Sequence, residues 1–135
     1  MAKKTGLGAT VTVDTSAGSP TDISNDVRSF SFTTPRGVID VTGVDKSAFE
    51  RLLALADFQV TLNGVFNTAL SHTVFSTVGT QAGTVTRTVT LVFNAGGTIS
   101  AECVPTDYSH NRGEDGSHMW SVPLQLANGT AAAWS

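Results

Sequence analysis

Residues 84–93 read TVTRTVTLVF, with threonine at every second position over most of the run. A period of two is the spacing at which a β-strand sends side chains to opposite faces, and threonine and valine are common strand residues. Residues 98–107 continue the alternation, with Ile99 and Cys103 on one face. Residues 95–97, Ala-Gly-Gly, predict a tight turn between the two strands. This predicted hairpin indicates a mainly β fold.

Similar alternation predicts further strands at residues 9–13, 27–33, 58–66 and 118–126. The pattern slips by one position between Val27 and Phe30, which predicts either a β-bulge or a late start of the strand. The stretch 14–26 is rich in Ser, Thr, Gly, Pro and Asp and predicts a loop. Segments 36–44 and 110–117 are predicted to be irregular connections between strands.

One segment, residues 47–56, departs from strand periodicity and predicts a helix. Ser47 and Glu50 have the spacing of a capping box, with Asp45 as a competing N-cap. A single apolar stripe at helical spacing is formed by Phe49, Leu52, Leu53 and Ala56. The predicted fold class is mainly β with one short α-helix (α+β), arranged as a β-sandwich or split barrel.

A second short helix is an option at residues 70–78, with Ser71 as its cap. Val74, Phe75 and Val78 would then face inward. Against this option, threonine and valine are poor helix formers.

The chain of 135 residues is predicted to be a single domain, with arms at residues 1–8 and 127–135. Charged residues make up only 14%, below the roughly 25% of typical soluble domains, which suits a surface that contacts other subunits. A simple Thr-rich β-protein explains the composition equally well. The net charge of −3, with scattered basic residues, argues against nucleic-acid binding as the main role. Neither a secretory leader nor a membrane span is predicted, so the cytoplasm is the default compartment.

No catalytic, metal or cofactor site is predicted. The loop at 107–118 collects two histidines and several carboxylates, but their spacing matches neither a calcium loop nor a zinc motif. Cys103 lies on the apolar face of a predicted strand, where a buried and inert thiol is usual. The sequence therefore predicts a protein that is not an enzyme.

A family resemblance rests on the order and spacing of short segments over nearly the whole chain. These segments are residues 22–27 (DISNDV), 35–37 (PRG), 40–43 (DVTG), 45–48 (DKSA), 50–52 (ERL), 56–58 (ADF), 62–64 (LNG), Cys103, 107–108 (DY), 115–117 (DGS), 120–123 (WSVP) and 129–134. In this respect the chain resembles the major tail proteins, or tail tube proteins, of long-tailed, non-contractile bacteriophages.

The resemblance implies a subunit that self-assembles into hexameric rings, which stack into a tube around a tape measure protein and later pass DNA. It also implies tail terminator and tail-tip proteins as partners, and a place in the virion tail after assembly in the bacterial cytoplasm. Two irregular segments are predicted to contact neighbouring subunits. Their residues are Arg36, Gly37, Val38, Ile39, Asp40, Val41, Asp107, Tyr108, His110, Arg112 and Glu114.

Two alternatives stay open. One is a monomeric β-sandwich that binds carbohydrate or protein through Trp120, Trp134 or Tyr108. The other is a tail terminator or connector ring, which would share the fold of a tube subunit.

Overall fold

The computed structural model describes residue 5, residues 7–93 and residues 96–135. Within these ranges the chain forms eleven strands and one helix, which confirms the mainly β fold class. The elements are β1 (Thr10–Asp14), β2 (Pro20–Asp22), β3 (Val27–Thr33), β4 (Arg36–Asp40), β5 (Arg51–Ala56), β6 (Gln59–Val65), α1 (Ser71–Phe75), β7 (Arg87–Val92), β8 (Thr98–Pro105), β9 (Ser109–Arg112), β10 (His118–Leu126) and β11 (Ala133–Trp134). Most of the predicted arm at 1–8, and Ala95 of the predicted turn, lie outside the described residues.

Nine strands form one antiparallel sheet in the order β2-β1-β7-β8-β10-β6-β3, with β9 beside β10 and β11 beside β8. The predicted hairpin is confirmed as β7 and β8, in which Val89 lies opposite Ala101. The predicted bulge is also confirmed, because the register between β3 and β6 shifts between Val27 and Ser29. Strands β4 and β5 pair only with each other, as a separate two-stranded sheet.

The core lies on one face of the large sheet. Strand alternation places every second residue on this face, and the ladders align those residues from strand to strand. They include Val11, Val13, Val60, Leu62, Val89, Leu91, Ile99, Ala101, Cys103, Val122 and Leu124, all of which are buried.

The sheet curls so that strands distant in its order meet through their side chains. The rings of Phe30 and Phe32 on β3 lie 6.0 and 6.1 Å from that of Phe93, at the end of β7. Trp134 lies 5.9 Å from Phe32 and 6.0 Å from Phe93. Aromatic pairs at these separations add to the energy of area burial. The sheet is therefore curled but not closed into a barrel.

The buried carboxylate of Asp26 fixes the start of α1. It accepts hydrogen bonds from the Ser71 backbone N–H and from Asn67 Nδ2, both at 3.0 Å. Ser71, predicted to be the cap, is instead the first helical residue, and its hydroxyl is buried without a partner. The prediction that Val74 and Phe75 face inward is confirmed.

A buried cation holds the chain that follows α1 against the sheet. Arg87, which alternates with threonine on β7, points into the core and donates to the Val74 carbonyl oxygen. It also donates to Thr77 Oγ1 at 3.1 Å and Gln81 Oε1 at 3.4 Å. Burial lowers the pKa of Arg87, and the nearby charge of Asp14 opposes that effect. These bonds tie the α1 connection to the core face.

The predicted helix at 47–56 is wrong, because this segment contains β5 and the turn before it. In strand geometry Leu52 lies opposite Ile39, and Leu53 opposite Val38. An isolated helix of this length is marginal in water, whereas the neighbouring strand supplies both backbone hydrogen bonds and apolar partners. The single helix of the fold lies instead at Ser71–Phe75.

Both segments predicted to be irregular contain strands. Segment 36–44 holds β4, and the polar stretch 110–117 holds most of β9, which pairs with β10 from His118 to Ser121. The C-terminal segment 127–135 ends in β11, where Ala133 and Trp134 pair with Ser100 and Ile99. In each case a neighbouring strand provides the pairing that local composition did not signal.

Gly64 on β6 permits a close approach of the Trp120 ring to the backbone. A Cβ atom added there would lie 2.6 Å from Cζ2 of Trp120 and would also collide with the carbonyl oxygen of Asp26. The indole Nε1 of Trp120 donates to the Val65 carbonyl oxygen at 2.6 Å. Any side chain at position 64 would therefore displace either the tryptophan or the backbone that precedes β3.

We expect Gly64→Ala to lower the free energy of unfolding by about 1–3 kcal/mol, because overpacking forces neighbouring groups to move. The matched control is Gly79→Ala, where an added Cβ atom meets nothing within 4 Å. Thermal and denaturant unfolding of the two variants measures the difference. Equal stability of the two variants would contradict the close-packed arrangement.

Candidate functional site

Residues 36–56, comprising β4, β5 and the turn between them, form a hairpin outside the main sheet; we call it the exposed hairpin. At its base, the Asp57 N–H donates to the Pro35 carbonyl oxygen at 3.0 Å. The Arg36 guanidinium donates to the Ala54 carbonyl oxygen through Nε at 3.0 Å and Nη2 at 2.8 Å. Every residue of β4 is exposed.

The exposed hairpin carries most of the large apolar side chains that the described residues leave in contact with water. They are Val38, Ile39, Val41, Val44, Phe49, Leu52, Leu53 and Leu55. Single exposed apolar residues are ordinary, whereas eight on one short element are typical of an interaction surface. An isolated two-stranded hairpin is also only marginally stable in water. The exposed hairpin therefore has the properties of a contact element that another molecule covers.

Side-chain hydrogen bonds order the turn of the exposed hairpin. Thr42 Oγ1 donates to Asp40 Oδ1 at 2.5 Å and accepts from the Glu50 N–H at 2.8 Å. The hydroxyl and the backbone N–H of Thr42 together lower the pKa of Asp40. Lys46 and Glu50 form an exposed ion pair at 3.6 Å, and Arg51 stacks on the Phe49 ring at 4.5 Å.

The predicted interface residues fall in two separate places. Arg36, Gly37, Val38, Ile39 and Asp40 form β4, and Val41 follows directly after it. The remaining residues belong to the second segment: Asp107 and Tyr108 precede β9, His110 and Arg112 lie on β9, and Glu114 lies in the turn before β10. No hydrogen bond or ion pair within the described part of the chain joins the two segments.

The second segment helps to form a cluster of aromatic and imidazole rings, which we call the histidine cluster: Phe66, His72, Tyr108, His110 and His118. These include all three histidines of the chain. The Phe66 ring stacks on His118 with centroids 4.4 Å apart and lies 5.0 Å from His72. His110 Nδ1 lies 2.9 Å from His118 Nε2, and His72 Nδ1 lies 3.2 Å from the Tyr108 hydroxyl.

Electrostatics in the histidine cluster disfavour charge on His110. Partial burial lowers the pKa of His110, and repulsion from His118 and His72 lowers it further. Burial, reinforced by Asp26, raises the pKa of the Tyr108 hydroxyl. A neutral His110 can share a hydrogen bond with His118, because one ring nitrogen of a neutral imidazole donates and the other accepts.

The structure assembles no catalytic or metal-binding constellation from the described residues. They contain no group of three or more His, Cys, Asp or Glu residues arranged to hold a metal ion. Cys103 is fully buried, and burial together with the charges of Glu102 and Asp57 raises the pKa of its thiol to about 12. A thiol with that pKa supplies almost no thiolate near neutral pH.

No helix in the described part of the chain is long and apolar enough to cross a bilayer.

The two tryptophans considered as stacking platforms of a binding module lie in different environments. Trp120 is buried against Phe75 and the Gly64 backbone, so its ring is not available as a stacking platform. Trp134 is exposed on one side and packs on Phe32 and Phe93. Beside Trp120, an open groove of about 490 Å³ is lined mainly by polar residues of β3, β6, β9 and β10.

Sequence reasoning missed half of the exposed hairpin. Leu52 and Leu53 were predicted to lie on the apolar stripe of a helix, yet these two residues and Leu55 are exposed on β5. The available signal was the pair of short apolar runs at 38–41 and 52–55, separated by a polar, glycine-containing stretch. That arrangement is typical of a hairpin with a longer loop.

Comparisons with known proteins find likeness at the level of the fold. No protein-family model matches the chain, and no curated protein sequence matches it. Among solved structures, it is similar to a chain of the virion of a native gene transfer agent (GTA) particle, with a TM-score of 0.76 and 14% identity over 98% of this chain and 99% of that one. A chain in the tail of an empty GTA particle, solved with C6 symmetry, gives a TM-score of 0.77 and 14% identity over the same shares.

A third similar chain comes from the sheath/tube terminator of an extracellular contractile injection system (PVC) in its extended state. Its TM-score is 0.69, with 13% identity over 98% of this chain and 96% of that one. The chain and these three neighbours therefore share one fold over almost their whole lengths.

We expect acid to weaken the histidine cluster. The folded-state pKa of His110 lies below its ordinary value of 6.5, so the stability that this group contributes is present above that value and is lost as the pH falls through the folded-state pKa. The fall in unfolding temperature from about pH 7.5 to about pH 5 should be smaller in His110→Gln than in the unmodified protein. An equal fall in both proteins would show that His110 is not responsible.

Proposed function

We propose that this chain is a structural subunit of a phage-like tail, which self-assembles into closed rings that stack into a tube for DNA delivery. The observation that carries the proposal is the exposed hairpin, a large apolar element that the chain itself leaves uncovered. The fold shared with chains of GTA particles supports a tail component rather than an enzyme. Six subunits per ring agree with the C6 symmetry of the similar GTA tail.

Ring contacts in this proposal are heterologous, so that one surface of a subunit meets a different surface of the next and rotation closes the ring. The exposed hairpin, including residues 36–41, supplies one surface. The segment 107–114 beside the histidine cluster supplies another candidate, since each residue of its β9 strand is exposed. The low fraction of charged residues, 14%, leaves few charges to desolvate at such contacts.

The partners proposed with this role follow the resemblance to tail tube proteins. They are further copies of this chain, a tape measure protein in the lumen, and terminator and tail-tip proteins at the two ends. Assembly would take place in the bacterial cytoplasm and the product would be the virion tail. The net charge of −3 suits a channel through which DNA passes without binding tightly.

A tail terminator is the second candidate function, because the chain also shares its fold with a chain in a structure of a sheath/tube terminator. The two roles differ in what they form. A tube subunit stacks ring upon ring, whereas a terminator forms one ring that ends a tube.

We expect the purified chain to form rings or stacked rings as its concentration is raised, which size-exclusion chromatography with light scattering and electron microscopy would detect. Stacked rings favour the tube role, and single rings that do not stack favour the terminator role. A chain that stays monomeric at every concentration would contradict both.

Ile39→Thr combined with Leu53→Thr should weaken this assembly while the subunit stays folded. Threonine keeps the β propensity of the strands. Losing two aliphatic side chains that assembly would bury costs about 3 kcal/mol per subunit, which raises the concentration needed for assembly about 100-fold. The control is Val92→Thr, a similar change at an exposed position outside the exposed hairpin. If the double variant assembles as readily as the control, the exposed hairpin is not the contact element.

A further inference from the structure

Two asparagines of this chain, Asn63 and Asn128, precede a glycine, and the fold places them in opposite surroundings. A following glycine lets its backbone nitrogen reach the side-chain amide of the asparagine, because glycine has no Cβ atom and bends freely. Asn63 lies within β6, and its neighbour Gly64 is paired with a strand on each side, one partner being Trp120. Asn128 and Gly129 are exposed, in the loop between β10 and β11. Only the second pair is therefore free to react in the folded chain.

The loop between β10 and β11 is held at both ends and open in the middle. At its start, the Ala127 N–H donates to the Glu102 carbonyl oxygen at 3.0 Å. At its end, Ala133 lies opposite Ser100. Residues 128–132 thus loop out over a stretch in which β8 advances only from residue 102 to residue 100. This loop can change shape without breaking the ladder of the main sheet.

The side chain of Asn128 folds back over the backbone that follows it. Its Oδ1 accepts a hydrogen bond from the Thr130 N–H at 3.1 Å, which keeps the amide carbon beside the Gly129 nitrogen. The same hydrogen bond polarises the amide carbonyl and stabilises the negative charge that an attack on its carbon would place on the oxygen. The Gly129 N–H donates to no described residue, so its proton is available to a base. The turn therefore holds a nucleophile and an electrophile side by side.

The same kind of turn at Asp115 lacks a reactive amide. Asp115 Oδ1 accepts from the Ser117 N–H at 3.0 Å, across Gly116. That hydrogen bond lowers the pKa of Asp115, so its side chain is an anionic carboxylate, which repels a nucleophile. Within the described residues, the turn, the neutral amide and a following glycine occur together only at Asn128.

We propose that Asn128 and Gly129 form a self-modifying site, at which the folded chain converts Asn128 into isoaspartate and thereby loosens β11. The Gly129 nitrogen gives up its proton and bonds to the side-chain amide carbon of Asn128. The bond from that carbon to Nδ2 breaks and ammonia leaves, which closes a succinimide ring. Solvent water then opens the ring, to aspartate if it attacks the side-chain carbonyl and to isoaspartate if it attacks the main-chain carbonyl. One water is consumed, one ammonia is released and nothing is oxidised.

Isoaspartate changes the path of the backbone that leads to β11. The main chain then passes through the Cβ and Cγ atoms of residue 128, and the oxygen that ordered the turn becomes a main-chain oxygen. Strand β11 is held by few contacts. Thr98 and Ser135 exchange backbone hydrogen bonds at 3.1 and 2.8 Å, and Trp134 packs on two phenylalanine rings. A short edge strand of this kind opens at low cost, so a misdirected connection should release it more often.

Incubation of the purified protein at mildly alkaline pH, below any concentration at which it assembles, tests the site. Peptide mapping by mass spectrometry follows Asn128 and Asn63 in the same molecule, and electron-transfer fragmentation distinguishes isoaspartate from aspartate. We expect Asn128 to react faster as the pH rises, and Asn63 to react at least about 100-fold more slowly because β6 must first open. In denaturant the two asparagines should react at similar rates. An unchanged Asn128, or equal conversion of both asparagines in the folded protein, would overturn the proposal.

Hydrogen–deuterium exchange tests the effect on β11. Ion-exchange chromatography separates the modified protein by its added negative charge, and Asn128→Asp supplies the same charge without the altered backbone. Asn128→Gln, whose longer side chain would have to close a larger ring, should stay unmodified. We expect the amides of Thr98 and Ser135 to exchange faster in the isoaspartate form than in either variant. Equal exchange in the isoaspartate form and in Asn128→Asp would overturn the loosening of β11.

Discussion

The close approach of Trp120 to Gly64 brings together β6, β10, the backbone before β3 and α1. The indole of β10 lies on the backbone of β6 at Gly64 and near Phe75 of α1, and the carbonyl oxygen of Asp26, before β3, approaches the same glycine. The same Asp26 binds the start of α1 through its carboxylate. Displacing the indole would disturb two strand pairings and the helix together, which explains why position 64 has no side chain.

The body that forms around this contact completes its core without the exposed hairpin. Strands of the large sheet contribute aligned apolar side chains, the sheet curls until Phe30 and Phe32 reach Phe93, and α1 with its connection covers part of the inner face. Among the described residues, β4 and β5 pair only with each other, and no strand of the body pairs with either. The described part of the chain thus leaves the apolar side chains at 38–55 uncovered, and the proposed function assigns their cover to further copies of the chain.

Much of the body could be predicted from the sequence, because alternation in a strand depends on local spacing alone. Residues 84–93 predicted β7 and placed Arg87 on the same face as Val89, and the slip after Val27 predicted the bulge in β3. The exposed hairpin could not be predicted in this way. Its β5 strand carries leucines at both helical and strand spacing, and the choice depends on pairing with β4. Its exposure depends on the rest of the core being complete without it, which only the three-dimensional structure reveals.

The histidine cluster also could not be predicted from local patterns in the sequence. The sequence placed His110 and His118 in one polar loop, whereas β9 pairs with β10 and brings the two rings within 2.9 Å. His72 joins them from the distant helix. Contacts between residues on different elements depend on strand order, and no local pattern in the sequence encodes that order.

Hydrogen–deuterium exchange compared between the monomer and the assembled form tests the central claim most directly. The account predicts fast amide exchange over residues 36–56 in the monomer and strong protection of the same residues after assembly. Exchange in β7 and β8 should be slow in both states, because these strands are buried within the subunit. Assembled particles in which residues 36–56 exchange as fast as in the monomer would contradict the claim that this hairpin holds the subunits together.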